Sequence, residues 1–145
     1  MNELKAGMLW IGNAMDARNP RKLLDAGIGA VVDLAYEESP AQLPRQMTYC
    51  RFPLNDGGGN DPRLVIQALQ TTLRLLQNKI PTLIACSAGM SRSPTMAAFA
   101  MAGFASEDPE ECLLEIGKIR SLELKSQLWG EVLEAYRTAQ VEMDT

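Results

Sequence analysis

The chain has 145 residues, 46% of them apolar and 22% charged, with 11 Gly and 8 Pro, a size and mixture that fit one globular domain over 1–145 and exclude a fibrous, collagen-like or disordered polymer. Fourteen Lys and Arg against 18 Asp and Glu leave a formal charge of −4, the wrong sign for holding nucleic acid through its phosphates. No histidine is present, so Ser-His-Asp and Cys-His catalysis and the commonest metal ligand are excluded with it.

In chain order, Met8 to Ile11 reads as a first strand. Asn19 caps a helix that begins at Pro20, turns Leu23 and Leu24 inward, and stops at Gly27. Ala30 to Leu34 is a buried strand in which Asp33 pairs or sits at the strand's end. Thr48 to Phe52 is another strand, and it runs into Pro53, Asn55, Asp56, Gly57, Gly58, Gly59 and Asn60, a mobile loop of turn formers. From Pro62 to Asn78 the apolar positions Ile66, Leu69, Leu73 and Leu76 form the stripe of an amphipathic helix. Thr82 to Ala85 is a short buried strand. Ser93 and Pro94 then cap and open a helix that is apolar all round from Met96 to Ala102 and is stopped by Gly103. Asp108, Pro109 and Glu111 form a capping box for a helix through Ile119, and Leu128, Trp129, Val132, Leu133 and Tyr136 line a last helix as core residues. The acid pairs Glu37-Glu38 and Glu110-Glu111 read as solvated faces or caps.

This order predicts an α/β domain: three α/β/α layers around a mostly parallel sheet of four or five strands, with the site at the carboxyl end of a strand. Cys50, Cys86 and Cys112 form no CxxC pair, and their odd number fits a reducing cytoplasm better than a secreted disulfide framework. Cys50 and Cys112 read as packing residues. Neither an export signal before Gly12 nor a membrane span is expected, since the apolar run from Met96 to Met101 is far short of the roughly 20 residues a span needs. No zinc spacing, Walker loop or dinucleotide fingerprint occurs, so no metal or cofactor is called for.

One segment carries chemistry: Cys86-Ser87-Ala88-Gly89-Met90-Ser91-Arg92-Ser93, between the short strand and the buried helix. A strand that ends in a compact Gly-containing turn and opens a helix brings several backbone N–H groups to one concave surface, over the positive end of the helix dipole. Such a cup binds an oxyanion. Arg92 adds a planar, two-pronged donor suited to phosphate, and no acid lies between Cys86 and Ser93. A cysteine at the base of the cup feels the same field, which favours the nucleophilic thiolate.

These residues resemble the signature loop of the cysteine-dependent protein tyrosine phosphatases, and Ala88-Gly89-Met90-Ser91-Arg92-Ser93-Pro94 is most similar to the dual-specificity branch. The resemblance is specific over 82–95 and pattern-level over 8–136. It implies a protein tyrosine phosphatase-like fold and metal-free hydrolysis of phosphomonoesters, with phosphotyrosine and phosphoserine or phosphothreonine in proteins, or a small phosphomonoester, as substrates. Cys86 would be the nucleophile, and Ser87, Ala88, Gly89, Met90, Ser91 and Arg92 the phosphate loop. Asp56, thirty residues before the cysteine, would be the general acid and base, and Ser93 the hydroxyl that bonds the sulfur and assists phosphate release. Asp61 is the alternative acid, although Asp61-Pro62 also reads as a helix cap.

Ala85 stands where the family usually has histidine, which removes one support of the loop. It also motivates the alternative reading of a catalytically weak or silent phosphate-binding module of the same fold. Without a basic residue in Ser87 to Ser91, a polyphosphorylated substrate is disfavoured.

Overall fold

The computed structural model describes residues 1–143, with side chains through Gln140. Strands β1 (Asn2–Lys5), β2 (Leu9–Gly12), β3 (Ala30–Ala35), β4 (Thr48–Leu54) and β5 (Thr82–Ala85) alternate with helices α1 (Ala14–Ala17), α2 (Pro20–Asp25), α3 (Pro62–Gln77), α4 (Arg92–Ala105), α5 (Pro109–Gly117) and α6 (Ser126–Met143). The five strands form one sheet in the order β1-β2-β5-β3-β4, parallel throughout except for the antiparallel edge pair β1–β2.

The two-residue period of a strand assigns each side chain to a face. Leu9, Ile11, Val32, Leu34 and Ile84 pack under α3, α4 and α6, with Leu69, Leu73, Phe99 and Val132 among their neighbours. Trp10, Val31, Leu83 and Ala85 point the other way and meet Ala17 of α1, Leu23 of α2, and Ile28 and Met47. The expected three-layer α/β/α arrangement with a mixed, mainly parallel sheet therefore stands. No helix of the described residues is long and apolar enough to cross a membrane.

Helix α4 is the central one. Met96, Ala97, Ala98, Phe99 and Ala100 are all fully buried, and Phe99 lies between Trp129 and Tyr136, with ring centroids at 4.5 and 5.4 Å. Full burial of one such side chain contributes roughly 1.5–3 kcal/mol, so the α4 contacts fix the helix that also carries Arg92.

Several local expectations are corrected. Strand β1, with two charged residues and half-exposed side chains, is a short edge strand whose polar content hid it. Leu24 points to solvent and is 45% exposed; only Leu23 of that pair is core. Helix α4 starts at Arg92, with Ser91 as N-cap, rather than after Ser93. Pro94 is tolerated at its third position because the first four N–H groups of a helix have no intrahelical acceptor. The helix also runs past Gly103 and ends where Ser106 turns left-handed at φ +56°. Gly103 serves packing instead: a Cβ there would lie 2.9 Å from Leu73 Cδ2. Asp33 is buried and does pair, accepting from Tyr49 Oη at 2.5 Å and from the Ala35 N–H at 3.1 Å.

Candidate active site

Strand β5 lies between β2 and β3, and Cys86 is the first residue beyond its carboxyl end. From there the chain makes one compact loop and enters α4 at Arg92. The carbonyls of four consecutive loop residues are all engaged: Ser87 O accepts from Ala14 N–H at 3.1 Å, Ala88 O from Arg120 Nη2 at 3.4 Å, Gly89 O from Arg120 Nε at 2.6 Å, and Met90 O from Glu123 N–H at 2.8 Å. There is no cis peptide in the described chain, and in a trans peptide the C=O and the following N–H point in opposite directions. Carbonyls tied to the surrounding protein therefore turn the N–H groups of Ala88, Gly89, Met90 and Ser91 toward the concave side. Gly89 makes the bend at φ +73°, where a Cβ would come within 2.9 Å of Gly12 O and would overlap Arg120.

Cys86 lies on the floor of this cup, 2% exposed. Its Sγ accepts the Ser93 N–H at 3.4 Å, from the first turn of α4, and stands 3.3 Å from Ser93 Oγ. Ser93 Oγ is also 3.5 Å from Gly12 O, the carbonyl that receives the Cys86 N–H at 3.3 Å. Gly12 thus supports the nucleophile's backbone and the hydroxyl beside its sulfur together.

Arg92 is buried, and its five N–H donors can be assigned. Nη1 donates to Glu37 Oε1 at 2.6 Å and to Leu54 O at 2.8 Å, and Nη2 donates to Glu37 Oε2 at 2.9 Å. Nε has no hydrogen-bond partner among the described residues. What remains is the side-on edge, the Nε–H and the second Nη2–H, a parallel pair of the kind that grips two oxygens of one phosphate. Burial works against the guanidinium's charge, but the Glu37 bond and the nearby Cys86, Glu37 and Asp56 outweigh it and raise its pKa above the ordinary arginine value. The bond to Arg92 in turn holds the Glu37 carboxyl below its usual range, against the opposing effect of burial.

Asp56 is on the loop after β4, with Oδ1 3.9 Å from Arg92 Nε. With Glu37, Cys86, Arg92, Glu123 and the loop it encloses a cavity of about 80 Å³. Ser91 also lines the cavity, and its Oγ is buried with no hydrogen-bond partner among the described residues. Two larger clefts, of about 700 and 680 Å³, lie on the helical surfaces and include none of the residues that line the cup; the chemistry of the donors identifies the site, not the volume. Asp61 is elsewhere: it caps α3 through the Arg63 N–H at 2.9 Å and forms an ion pair with the Arg63 side chain.

The sequence reading assigned Cys86, the loop, Arg92, Ser93 and Asp56 to one place, and the fold brings all of them together. It read Glu37 and Glu38 as solvated faces or caps, and Glu37 is indeed exposed, but it missed the bonds that both acids make to the loop. Glu37 forks onto Arg92, and Glu38 accepts from Ser87 Oγ at 2.6 Å. It also missed Gly12 and Arg120, whose roles come from a neighbouring strand and a distant turn that no local motif marks. The loop after β4 is not the loose segment its glycines suggested, because Asn60 and Glu131 tie it down.

No protein-family model matches the sequence, and no curated protein does. Solved structures do resemble the fold. Human DUSP28 superposes with a TM-score of 0.83 at 16% identity, covering 98% of this chain and 99% of that one. A mouse putative dual-specificity phosphatase complexed with zinc tungstate gives 0.80 at 19%, covering 97% and 89%. The human tyrosine phosphatase-like serine/threonine/tyrosine-interacting protein gives 0.79 at 17%, covering 96% of each chain. The chain thus carries the fold of the dual-specificity branch of the cysteine-dependent protein tyrosine phosphatases.

Proposed function

We propose that this protein hydrolyses phosphomonoesters, phosphotyrosine and phosphoserine or phosphothreonine in proteins among them, through a cysteinyl-phosphate intermediate. The observation that carries the reading is a buried sulfur sharing one cavity with an Arg92 edge whose Nε has no hydrogen-bond partner among the described residues, under a loop whose carbonyls are bonded away to the surrounding protein. Phosphoryl transfer is catalysed mainly by positioning and by stabilising charge on the equatorial oxygens, which such donors do. The tungstate in the mouse structural neighbour is a tetrahedral dianion of the size and charge this cup would take.

In the first step the Cys86 thiolate attacks phosphorus, the phosphorus–oxygen bond to the leaving group breaks, and Asp56 delivers its proton to that oxygen. In the second, Asp56 takes a proton from water, the water oxygen attacks phosphorus, and the sulfur–phosphorus bond breaks to give inorganic phosphate and the thiolate. Ser93 supports the departing sulfur through its N–H and hydroxyl. The three unpaired cysteines suit a reducing, cytoplasmic setting.

Hydrolysis of p-nitrophenyl phosphate by the wild type, set against Cys86→Ser, tests the reading. The expected result is turnover that disappears in the variant. Equal and negligible rates for both, with phosphate still bound, would leave the alternative of a silent phosphate-binding module, the possibility raised by Ala85.

A further inference from the structure

The loop that carries Asp56 has little in its own sequence to hold it. Gly57, Gly58 and Gly59 follow one another at φ +93°, +129° and +78°, and glycine loses more conformational freedom on ordering than any other residue. A general acid nevertheless has to be held within hydrogen-bond reach of the atom it protonates.

The support comes from α6. The Glu131 carboxylate accepts the Gly59 N–H at 2.7 Å, the Asn60 N–H at 3.3 Å and the Asn60 side-chain amide at 2.9 Å. Asn60 passes the restraint on. Its Oδ1 accepts the Asn55 N–H at 2.7 Å, and its Nδ2 donates to Asn55 O at 3.3 Å, so both bonds end one residue before Asp56. Gln127, one turn earlier on the same face of α6, lies under Gly58, where a Cβ would stand 2.6 Å from its Cγ. The loop is therefore draped on α6 and fastened at one carboxylate. Glu131 does not itself line the cup.

We infer that Glu131 is a positioning residue of the reaction, holding Asp56 over the leaving-group oxygen through Asn60 and Asn55; this rests on the phosphatase reading above. The role is separable from plain stability because it acts on proton delivery alone. A leaving group as acidic as p-nitrophenol departs with little protonation, whereas phenol needs the proton. Misplacement of a reacting group by about 1 Å costs on the order of 100-fold in rate.

The experiment compares kcat on phenyl phosphate and p-nitrophenyl phosphate, and inhibition by inorganic phosphate, for the wild type, Glu131→Ala, Glu131→Gln, Asp56→Asn and the double variant Glu131→Ala/Asp56→Asn. Glu131→Ala is expected to lower kcat on phenyl phosphate by about 10- to 100-fold and on p-nitrophenyl phosphate far less, with phosphate inhibition retained. In the Asp56→Asn background it should add no further loss, since residues acting through one group are not additive. Glu131→Gln, which keeps one acceptor oxygen, should fall between, and it carries the comparison if the alanine variant does not fold. Equal losses on both substrates, or additive losses in the double variant, overturn the inference and leave the phosphatase reading intact. A wild type that hydrolyses neither ester overturns both.

Discussion

Glu37 grips Arg92 by both of its terminal nitrogens, at 2.6 and 2.9 Å, and so decides which edge of the guanidinium is left for an anion. Glu37 is itself held from outside the site: Arg51 Nη2 donates to Ala35 O, Tyr36 O and Glu38 O at 3.2, 3.3 and 2.6 Å, fixing the turn on either side of it. Arg92 owes its direction to this two-link chain together with the Leu54 carbonyl, which accepts from Nη1 at 2.8 Å.

Replacing Glu37 by Ala should therefore cost activity even though it removes a negative charge from an anion site. The expected outcome is a fall of about 10-fold or more in kcat/KM on p-nitrophenyl phosphate, since a bidentate ion pair is worth more for its geometry than for its charge. A rise in kcat/KM would mean that Glu37 competes with phosphate rather than orienting its ligand. Arg92→Lys should abolish turnover, because an ammonium has no side-on edge.

The two aspartates after β4 are separated by their surroundings. Asp56 borders the cavity. Asp61 is exposed and bonded to Arg63, whose guanidinium holds the carboxyl below the ordinary aspartate value. Asp56→Asn should lower kcat on phenyl phosphate by about 100-fold or more, the scale of general acid catalysis, whereas Asp61→Asn should leave both kcat and thermal stability nearly unchanged, since Asn caps a helix as well as Asp and only an exposed ion pair with Arg63 is lost. Steady-state rates and melting curves of the two variants decide this, and the reverse pattern would exchange their roles.

The cup's shape depends on carbonyls being drawn outward, and Arg120 draws two of them. Arg120→Ala should weaken inhibition by inorganic phosphate and lower kcat/KM by about 10-fold, on the scale at which removing one oriented contact is felt. Gly89→Ala should be worse, because a side chain at φ +73° is strained and its Cβ would press on Gly12 O. Activity near wild type in Gly89→Ala would show that the loop can re-form without that bend.

Cysteine chemistry gives an independent check on the nucleophile. Burial, and next the bond to Glu107, push the Cys112 thiol up to about 11, and burial pushes Cys50 up as well. At both, the surroundings disfavour the reactive thiolate. Iodoacetate at that pH should label one residue, Cys86, and inorganic phosphate should protect it. Peptide mapping reads the result directly; labelling of Cys112 in the native protein, or failure of phosphate to protect Cys86, would contradict the assignment.

How far the sequence foretold this site follows from where each part lies in the chain. Cys86 through Ser93 are contiguous, and the alternation of short apolar runs with helical stripes gives the layers, so nucleophile, loop and Arg92 were legible together. Asp56 was legible through the resemblance, which places an acid thirty residues before the cysteine and just after a strand-like run. The acids were not. Glu37 follows a strand as an ordinary exposed residue would, and only the parallel pairing of β3 between β5 and β4 carries it to Arg92. Arg120 and Glu131 reach the loops from turns and helices 31 and 71 residues away. Periodicity reports which face of an element is buried; it has no access to which polar tips meet after folding.

Asp16 lies one shell further out and links stability to the same loop. Its carboxylate accepts the Asn13 N–H at 2.9 Å, while Asn13 Oδ1 accepts the Asp16 N–H at 2.9 Å. This reciprocal capping box fixes the one-turn helix α1, whose first N–H, that of Ala14, holds Ser87 O. Burial works to raise the Asp16 pKa, but the 2.7 Å bond from Lys22 and the Asn13 N–H prevail and lower it below the ordinary aspartate value. A depressed carboxyl contributes stability that is fully present above its unfolded value and is lost as pH falls through the folded one. Asp16→Asn keeps an acceptor for the Asn13 N–H but loses the charge beside Lys22, and should be less stable than wild type at pH 7 by about 1 kcal/mol, the scale of a carboxylate at a helix N-terminus, with the gap shrinking as the pH drops below about 4. Urea melts of both proteins across that range measure it. A gap that stays constant with pH would show that the Asp16 charge adds nothing to the hold on α1, and with it nothing to the hold on Ser87.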